Sequence, residues 1–202
     1  TLLGADDKAG IAIIISALET LINNPNIKHG DIRVCFSPDE EIGMGMEHFQ
    51  VKEFGAKVAY TLDGEALGIC NKETFSADSA TIETIGRDIH PGTAKDIMVN
   101  SLRAMGEIIS LLPQEMSPET TEGHQPFIHP HTLSGDISKS TLKIILRDFK
   151  TEGLEDQKRI LEKIVDEVQK KYPKTKINLT TQKTYRNMKD KLEEVPHALE
   201  YL

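Results

Sequence analysis

Between residues 78 and 185 the apolar residues repeat in a set order of periods: every second position, every three to four, every second in two successive runs, every three to four, and every second again. Side chains alternate across a strand and recur every 3.6 residues on a helix. The stretch therefore predicts β-α-β-β-α-β, the split βαβ or ferredoxin-like arrangement. Strands are predicted at 78–87, 127–137, 141–149 and 177–185, and helices at 95–112 and 154–171. Leu142, Ile144 and Leu146 alternate with Lys143, Ile145 and Arg147, which gives one apolar face and one mixed face. Met98, Leu102, Met105, Ile109 and Leu112 mark one side of the first helix. Pro91-Gly92 turns the chain ahead of it, and a Pro-, Ser-, Thr- and Gly-rich loop follows at 113–126.

A different pattern precedes this block. Ile11, Ile13, Ile14, Ile15, Leu18, Leu21 and Ile22 cover most of a helix at 8–22, begun by Asp6/Asp7 and stopped by Asn23-Asn24-Pro25. So much apolar surface predicts a largely buried helix. Strands are predicted at 31–37, ended by Pro38, and at 57–62, closed by Asp63-Gly64, with a short helical piece at 44–54 between them. Helix, strand, helix, strand predicts an α/β unit with a mainly parallel sheet. Helical character returns from Met188. The expected organisation is 1–74 and 188–202 in one domain, with 75–187 inserted as a second.

Composition narrows the chemistry. The 202 residues carry 24 Lys+Arg against 32 Asp+Glu, a net charge of −8, with 38% hydrophobic residues, which suits a globular chain. The acidic balance and the lack of a basic cluster argue against a nucleic-acid partner. No apolar run reaches the roughly 18 residues of a membrane span, so no membrane partner is expected. Cys35 and Cys70 make no disulfide framework, and a reducing, cytoplasmic setting is expected. Thr1 and Leu202 both look like cut ends, so the chain reads as the central fragment of a longer one.

The carboxylates carry the chemical signal. Asp6 precedes a predicted helix, Glu40 and Glu41 follow the first predicted strand, and Asp63 follows the second. Ligand sites of open α/β sheets form beyond the carboxyl ends of strands. Carboxylates gathered there repel one another unless a cation offsets them, and a divalent metal does so most directly. On an extended Asp39-Glu40-Glu41 segment, one Glu can ligate metal while its neighbour, on the other side, holds a water. A carboxylate ligand beside a carboxylate base is what metal-assisted hydrolysis needs.

Three motifs carry a resemblance: Gly4-Ala5-Asp6-Asp7-Lys8-Ala9-Gly10, Ser37-Pro38-Asp39-Glu40-Glu41-Ile42-Gly43 and Tyr60-Thr61-Leu62-Asp63-Gly64. Together they resemble the metal-site motifs of the M20 family of metallopeptidases. His90-Pro91-Gly92-Thr93-Ala94-Lys95, Met98-Val99-Asn100, Ser117-Pro118-Glu119, Thr121-Glu122-Gly123 and Ile145-Leu146-Arg147-Asp148-Phe149 resemble the lid of its tripeptide aminopeptidases. The resemblance implies a zinc-peptidase catalytic domain, present in part, with an inserted lid. It implies a zinc-dependent aminopeptidase that releases the N-terminal residue from tripeptides. Asp6 would bridge two zinc ions and Asp7 would orient it. Glu40 would be the general base, Glu41 would ligate one zinc and Asp63 the other. His90 would stabilise the tetrahedral oxyanion, while Asn100 and Arg147 would hold the substrate's backbone or carboxylate. The expected partners are a small peptide and, in a homodimer, a second copy of the chain.

A complete M20 site also has a His-x-Asp motif ahead of Asp6 and a histidine far beyond Asp63. His29-Gly30-Asp31 has the right letters but precedes its strand, and reads as a surface loop. The fragment alone is therefore expected to be inactive. The alternatives are a dipeptidase or N-acyl amino acid deacylase of the same family, or a non-catalytic interaction module that pairs edge strands between subunits.

Overall fold

The computed structural model describes residues 6–64 and 66–200. Gly4 and Ala5 of the first motif, and the end of the chain at Tyr201-Leu202, lie outside the described residues. The chain divides into two compact units. One runs to Cys70 and resumes at Pro196; the other is Asn71–Val195.

The first unit holds α1 (Lys8–Asn23) and α2 (Val51–Phe54). Asp7 caps α1 by accepting a hydrogen bond from the Gly10 N–H at 2.8 Å, and the helix stops at Asn24, whose N–H returns to the Leu21 carbonyl. Helix α1 is not the buried helix that its composition predicts. Among its residues only Gly10 is buried, and Ile13 is 57% exposed. The mainly parallel sheet expected here is also corrected. Segments 31–37 and 57–62 form no strand, and the one sheet among the described residues is antiparallel and belongs to the other unit. The physical reason is that a parallel sheet needs cover on both faces, which this unit does not supply: Phe36 remains 50% exposed. Cys35, expected inside a strand, is exposed for the same reason. The Tyr60 hydroxyl donates to the Ala198 carbonyl at 2.7 Å, tying the returning turn at His197–Glu200 to this unit.

The second unit runs β1 (Ser76–Ile85), α3 (Ser101–Leu111), β2 (Phe127–Gly135), β3 (Lys139–Asp148), α4 (Thr151–Lys171), β4 (Lys176–Tyr185) and a short α5 (Lys189–Glu193). Its four strands lie in the order β2-β3-β1-β4, with every neighbouring pair antiparallel. Ala80, Ile82, Leu142, Ile144 and Leu146 face the helices. They pack against Ala104, Met105 and Ile108 of α3 and Leu154, Leu161, Ile164 and Val168 of α4. The buried positions of α3 recur at i, i+3, i+4 and i+7, as an amphipathic helix requires. Those of α4 hold the same face through about four turns, and Lys170 and Lys171 complement its C-terminal dipole.

Helix α3 begins six residues later than its periodicity predicts. Asp96 has a positive φ of 65°, and Asn100 caps the helix by accepting from the Leu102 N–H at 2.9 Å. The segment between β1 and α3 is therefore a loop, and it is pinned at both ends. Arg87 and Val99 exchange backbone hydrogen bonds, and the Ser101 N–H donates to the Ile137 carbonyl. Gly86 sits at the crossing, where an added Cβ would collide with the Val99 and Ile137 carbonyl oxygens. Below it, the Ser101 hydroxyl bonds to Ser140 Oγ at 2.7 Å and to the Asp136 carbonyl.

Asn187 clasps the two ends of this unit. Its Oδ1 accepts from the Thr74 N–H at 3.0 Å, its Nδ2 donates to the Phe149 carbonyl at 3.1 Å, and its N–H donates to Ser76 Oγ at 2.9 Å. Beside the clasp, Glu73 accepts from His124 Nε2 at 2.8 Å and lies 3.7 Å from Lys189 Nζ. The His124 hydrogen bond is the main reason that Glu73 titrates below an ordinary carboxylate; the Lys189 charge adds to it, against the cost of desolvation. No helix among the described residues is long and apolar enough to cross a membrane.

Two outcomes follow from this packing. Gly86→Ala should lower stability by about 1–3 kcal/mol, the usual cost of forcing an atom into a filled space; a urea melt matching the parent protein would refute the tight crossing. A carboxyl with a depressed folded pKa stabilises fully above its unfolded value, near 4.5, and loses that contribution as pH falls through the folded value. Glu73→Gln should therefore flatten the acid limb of the melting temperature below about pH 4.5, measured by calorimetry across pH.

Candidate metal centre

Asp6 and Asp7 stand at the entry to α1, and Asp63 follows the segment that ends at Leu62. Each offers one carboxylate oxygen, and the three lie within 4.8 Å of one another. A missing side chain brings them together. A Cβ on Gly10 would collide with the Leu62 carbonyl oxygen and with the Asp7 carboxylate. Glycine at this position lets the first turn of α1 descend onto the Leu62 backbone, which carries Asp6 and Asp7 to Asp63.

All three carboxylates are exposed, and no histidine or cysteine joins the group among the described residues. Three like charges at this spacing repel one another, and a divalent cation removes the repulsion. The donors are oxygen atoms, which suit a hard divalent ion and which zinc also accepts. The residues thus fit part of a ligand set for a divalent metal.

Glu40 and Glu41 are not in that group. They occupy a 3-10 turn, Glu40–Ile42, entered through Asp39 at a φ of 63° and closed by the Gly43 N–H to the Glu40 carbonyl at 2.7 Å. The extended geometry expected for Asp39-Glu40-Glu41 is therefore replaced. In a 3-10 turn successive side chains point about 120° apart rather than to opposite sides.

The second unit carries three further residues singled out in the sequence. Exposed His90 precedes a 3-10 turn at Pro91–Thr93, and its Nδ1 accepts from the Gly92 N–H at 3.1 Å. A neutral imidazole with one nitrogen accepting holds its proton on the other. His90 Nε2–H is thus a fixed donor. Asn100 spends its Oδ1 on the cap of α3, which leaves its amide N–H groups to donate elsewhere. Arg147 lies on the sheet face turned away from the helices, and its Nη1 donates to the Leu146 carbonyl at 3.1 Å. Its guanidinium sits over the Tyr185 ring, 5.2 Å from the centroid.

Other residues resolve into structural roles. His29 Nδ1 meets the Gly30 carbonyl on an exposed loop. The rings of His129 and His131 lie 6.3 Å apart, centroid to centroid, beside a register shift in β2, and His129 Nδ1 is buried with no hydrogen-bond partner among the described residues. Glu119, on the neighbouring loop, titrates below an ordinary carboxylate chiefly because the Ser117 hydroxyl bonds to it. Two features escaped the reading of the sequence: Gly10 as the residue that assembles the carboxylates, and His124 as the partner of Glu73. The first was open to inference, because a glycine in the first turn of a helix costs stability and invites a packing reason.

Residues 72–176 match the peptidase dimerisation domain of the M20 peptidases. Peptidase T of Clostridium perfringens is 48% identical over 200 residues, which cover 99% of this chain and 49% of that protein. Peptidase T of Vibrio cholerae is 44% identical over the same shares. The chain thus spans about half the length of the curated relatives it matches. Two solved structures share its fold at 21% identity, each with 93% of this chain and 50% of the other covered. They are aminopeptidase PepT of Bacillus cereus, with a TM-score of 0.73, and a tripeptidase of Staphylococcus aureus, with a TM-score of 0.77.

Gly10→Ala should separate α1 from Leu62 and weaken binding of a divalent metal by roughly tenfold or more, the scale on which supporting residues act on metal sites. Titration calorimetry with zinc checks this, and unchanged affinity would show that the close approach does not assemble the site.

Proposed function

Because this chain belongs to the M20 peptidase family, we propose that it forms part of a zinc-dependent aminopeptidase that releases the N-terminal residue from tripeptides. The observation that carries the reading is the carboxylate group Asp6, Asp7 and Asp63, held together at Gly10. The names of the relatives, peptidase T and tripeptidase, support the substrate class.

In this reading Asp6 and Asp63 hold metal, Asp7 orients Asp6 while it caps α1, and Glu41 completes the carboxylate ligands. Bound zinc supplies Lewis acidity, polarising the scissile carbonyl and making water a better nucleophile at neutral pH. Glu40 takes the proton from the attacking water and delivers it to the leaving amine. An exposed carboxylate on a short turn suits a group that exchanges protons. His90 Nε2–H donates to the carbonyl oxygen as its charge grows, a task for which the Gly92 N–H has already selected the tautomer. Asn100 donates from its amide, and Arg147 receives the peptide carboxylate with its forked donors. We place the histidine ligands implied by the resemblance in flanking sequence of a longer protein, and assign activity to that protein rather than to residues 1–202 alone. The dimerisation-domain match, with β2 and β4 as the edge strands of the sheet, supports a homodimer as the assembled form.

The test is kinetic, on the full-length zinc-loaded protein. Glu40→Gln should lower kcat by roughly 10²–10⁴-fold, the range for a lost general base, with zinc content unchanged. Asp63→Ala should lose zinc. Glu40→Gln activity equal to the parent's would overturn the base assignment. Faster cleavage of N-acyl amino acids than of tripeptides would overturn the substrate class.

A further inference from the structure

Arg147, Ala77 and Tyr185 lie in one row across three strands: Ala77 of β1 pairs with Arg147 of β3 on one side and with Tyr185 of β4 on the other. The central member is a methyl group, fully buried, so nothing stands between the two long side chains. The guanidinium crosses above Ala77 and settles over the Tyr185 ring, 5.2 Å from its centroid and within cation–π range. Both partners are fixed from behind. Gln157 of α4, buried in the core, donates to the Arg147 carbonyl at 2.7 Å. Arg186 holds the Tyr185 end of β4, where the register shifts: its Nη1 donates to Asp78 Oδ1 at 2.7 Å, to the Ala77 carbonyl at 2.9 Å and to the Tyr185 carbonyl at 2.8 Å. The ring itself remains 47% exposed, a platform open to solvent on the sheet face away from the helices.

We infer that Tyr185 is a positioning residue for substrate: its ring holds the Arg147 guanidinium, across Ala77, in the orientation that receives the C-terminal carboxylate of the peptide. The inference rests on the reading of Arg147 given above and deepens it, because it makes selectivity for a free carboxylate depend on an aromatic side chain two strands away. A long, flexible arginine loses rotamer entropy when it grips an anion, and a ring that already holds the guanidinium plane reduces that loss. The hydroxyl has no part in this. The ring alone is required.

The experiment compares a tripeptide with the same tripeptide as its C-terminal amide, on the full-length zinc-loaded protein. Tyr185→Leu should raise KM for the free acid roughly three- to tenfold, as loss of a cation–π contact implies, leaving kcat near the parent value and the amide's KM unchanged. Tyr185→Phe keeps the ring and should restore the low KM. An equal rise for acid and amide would show a merely structural role and overturn the inference. So would a Tyr185→Leu enzyme that matches the parent while Arg147→Lys raises KM for the acid. If Arg147→Lys and Arg147→Ala both leave the acid's KM unchanged, the failure lies in the carboxylate reading itself.

Discussion

Strand β1 is the constraint on which the second unit depends. With β3 it is one of the two strands that have a ladder on each side among the described residues, and it pairs β3 and β4 from end to end, with one register shift against β4 at Ala77/Asp78. Its inward residues Ala80 and Ile82 are the floor on which α3 and α4 pack. Its N-terminal end supplies the small Ala77 that lets Arg147 reach Tyr185, and its C-terminal end leads through Gly86 into the loop that carries His90. The strand therefore fixes both ends of the unit at once. A slip of one residue in β1 would turn its inward side chains outward and remove Ala77 from the row that joins Arg147 to Tyr185.

A common economy runs through three of the polar residues proposed for function, His90, Asn100 and Asp7. Each has two hydrogen-bonding ends, and the fold uses one of them. His90 gives Nδ1 to the Gly92 N–H, Asn100 gives Oδ1 to the Leu102 N–H, and Asp7 gives one carboxylate oxygen to the Gly10 N–H. The cap that starts a helix or turn thus orients the side chain and leaves its other end for chemistry. Such groups are held without the rotamer cost that a free surface side chain incurs on binding.

Much of the second unit was legible in the sequence, since period-two and period-3.6 runs report directly which residues face a core. Leu142, Ile144 and Leu146 point inward as their alternation demands. The start of α3 was not legible, because Met98 and Leu102 continue a helical spacing that the backbone at Asp96 and Asn100 interrupts. In the first unit the apolar runs misled. Hydrophobic composition reports which residues seek cover, not what covers them, and Ile13 and Phe36 remain exposed within this unit. The acidic residues proposed to hold metal could be named from the sequence. That Glu40 and Glu41 lie on a 3-10 turn outside the group of Asp6, Asp7 and Asp63 could not.

The sequence by itself determined the order of elements in the second unit, the caps at Asp7 and the family to which the motifs belong. These depend on near neighbours along the chain and on residue types, which a sequence displays. Tertiary structure alone decided the direction of the sheet, the collapse of α1 onto Leu62 and the row that joins Arg147 to Tyr185. Each of these is a contact between residues far apart in sequence, settled by whether two backbones can approach. At Gly10 and Ala77 that question turns on the small size of a single side chain.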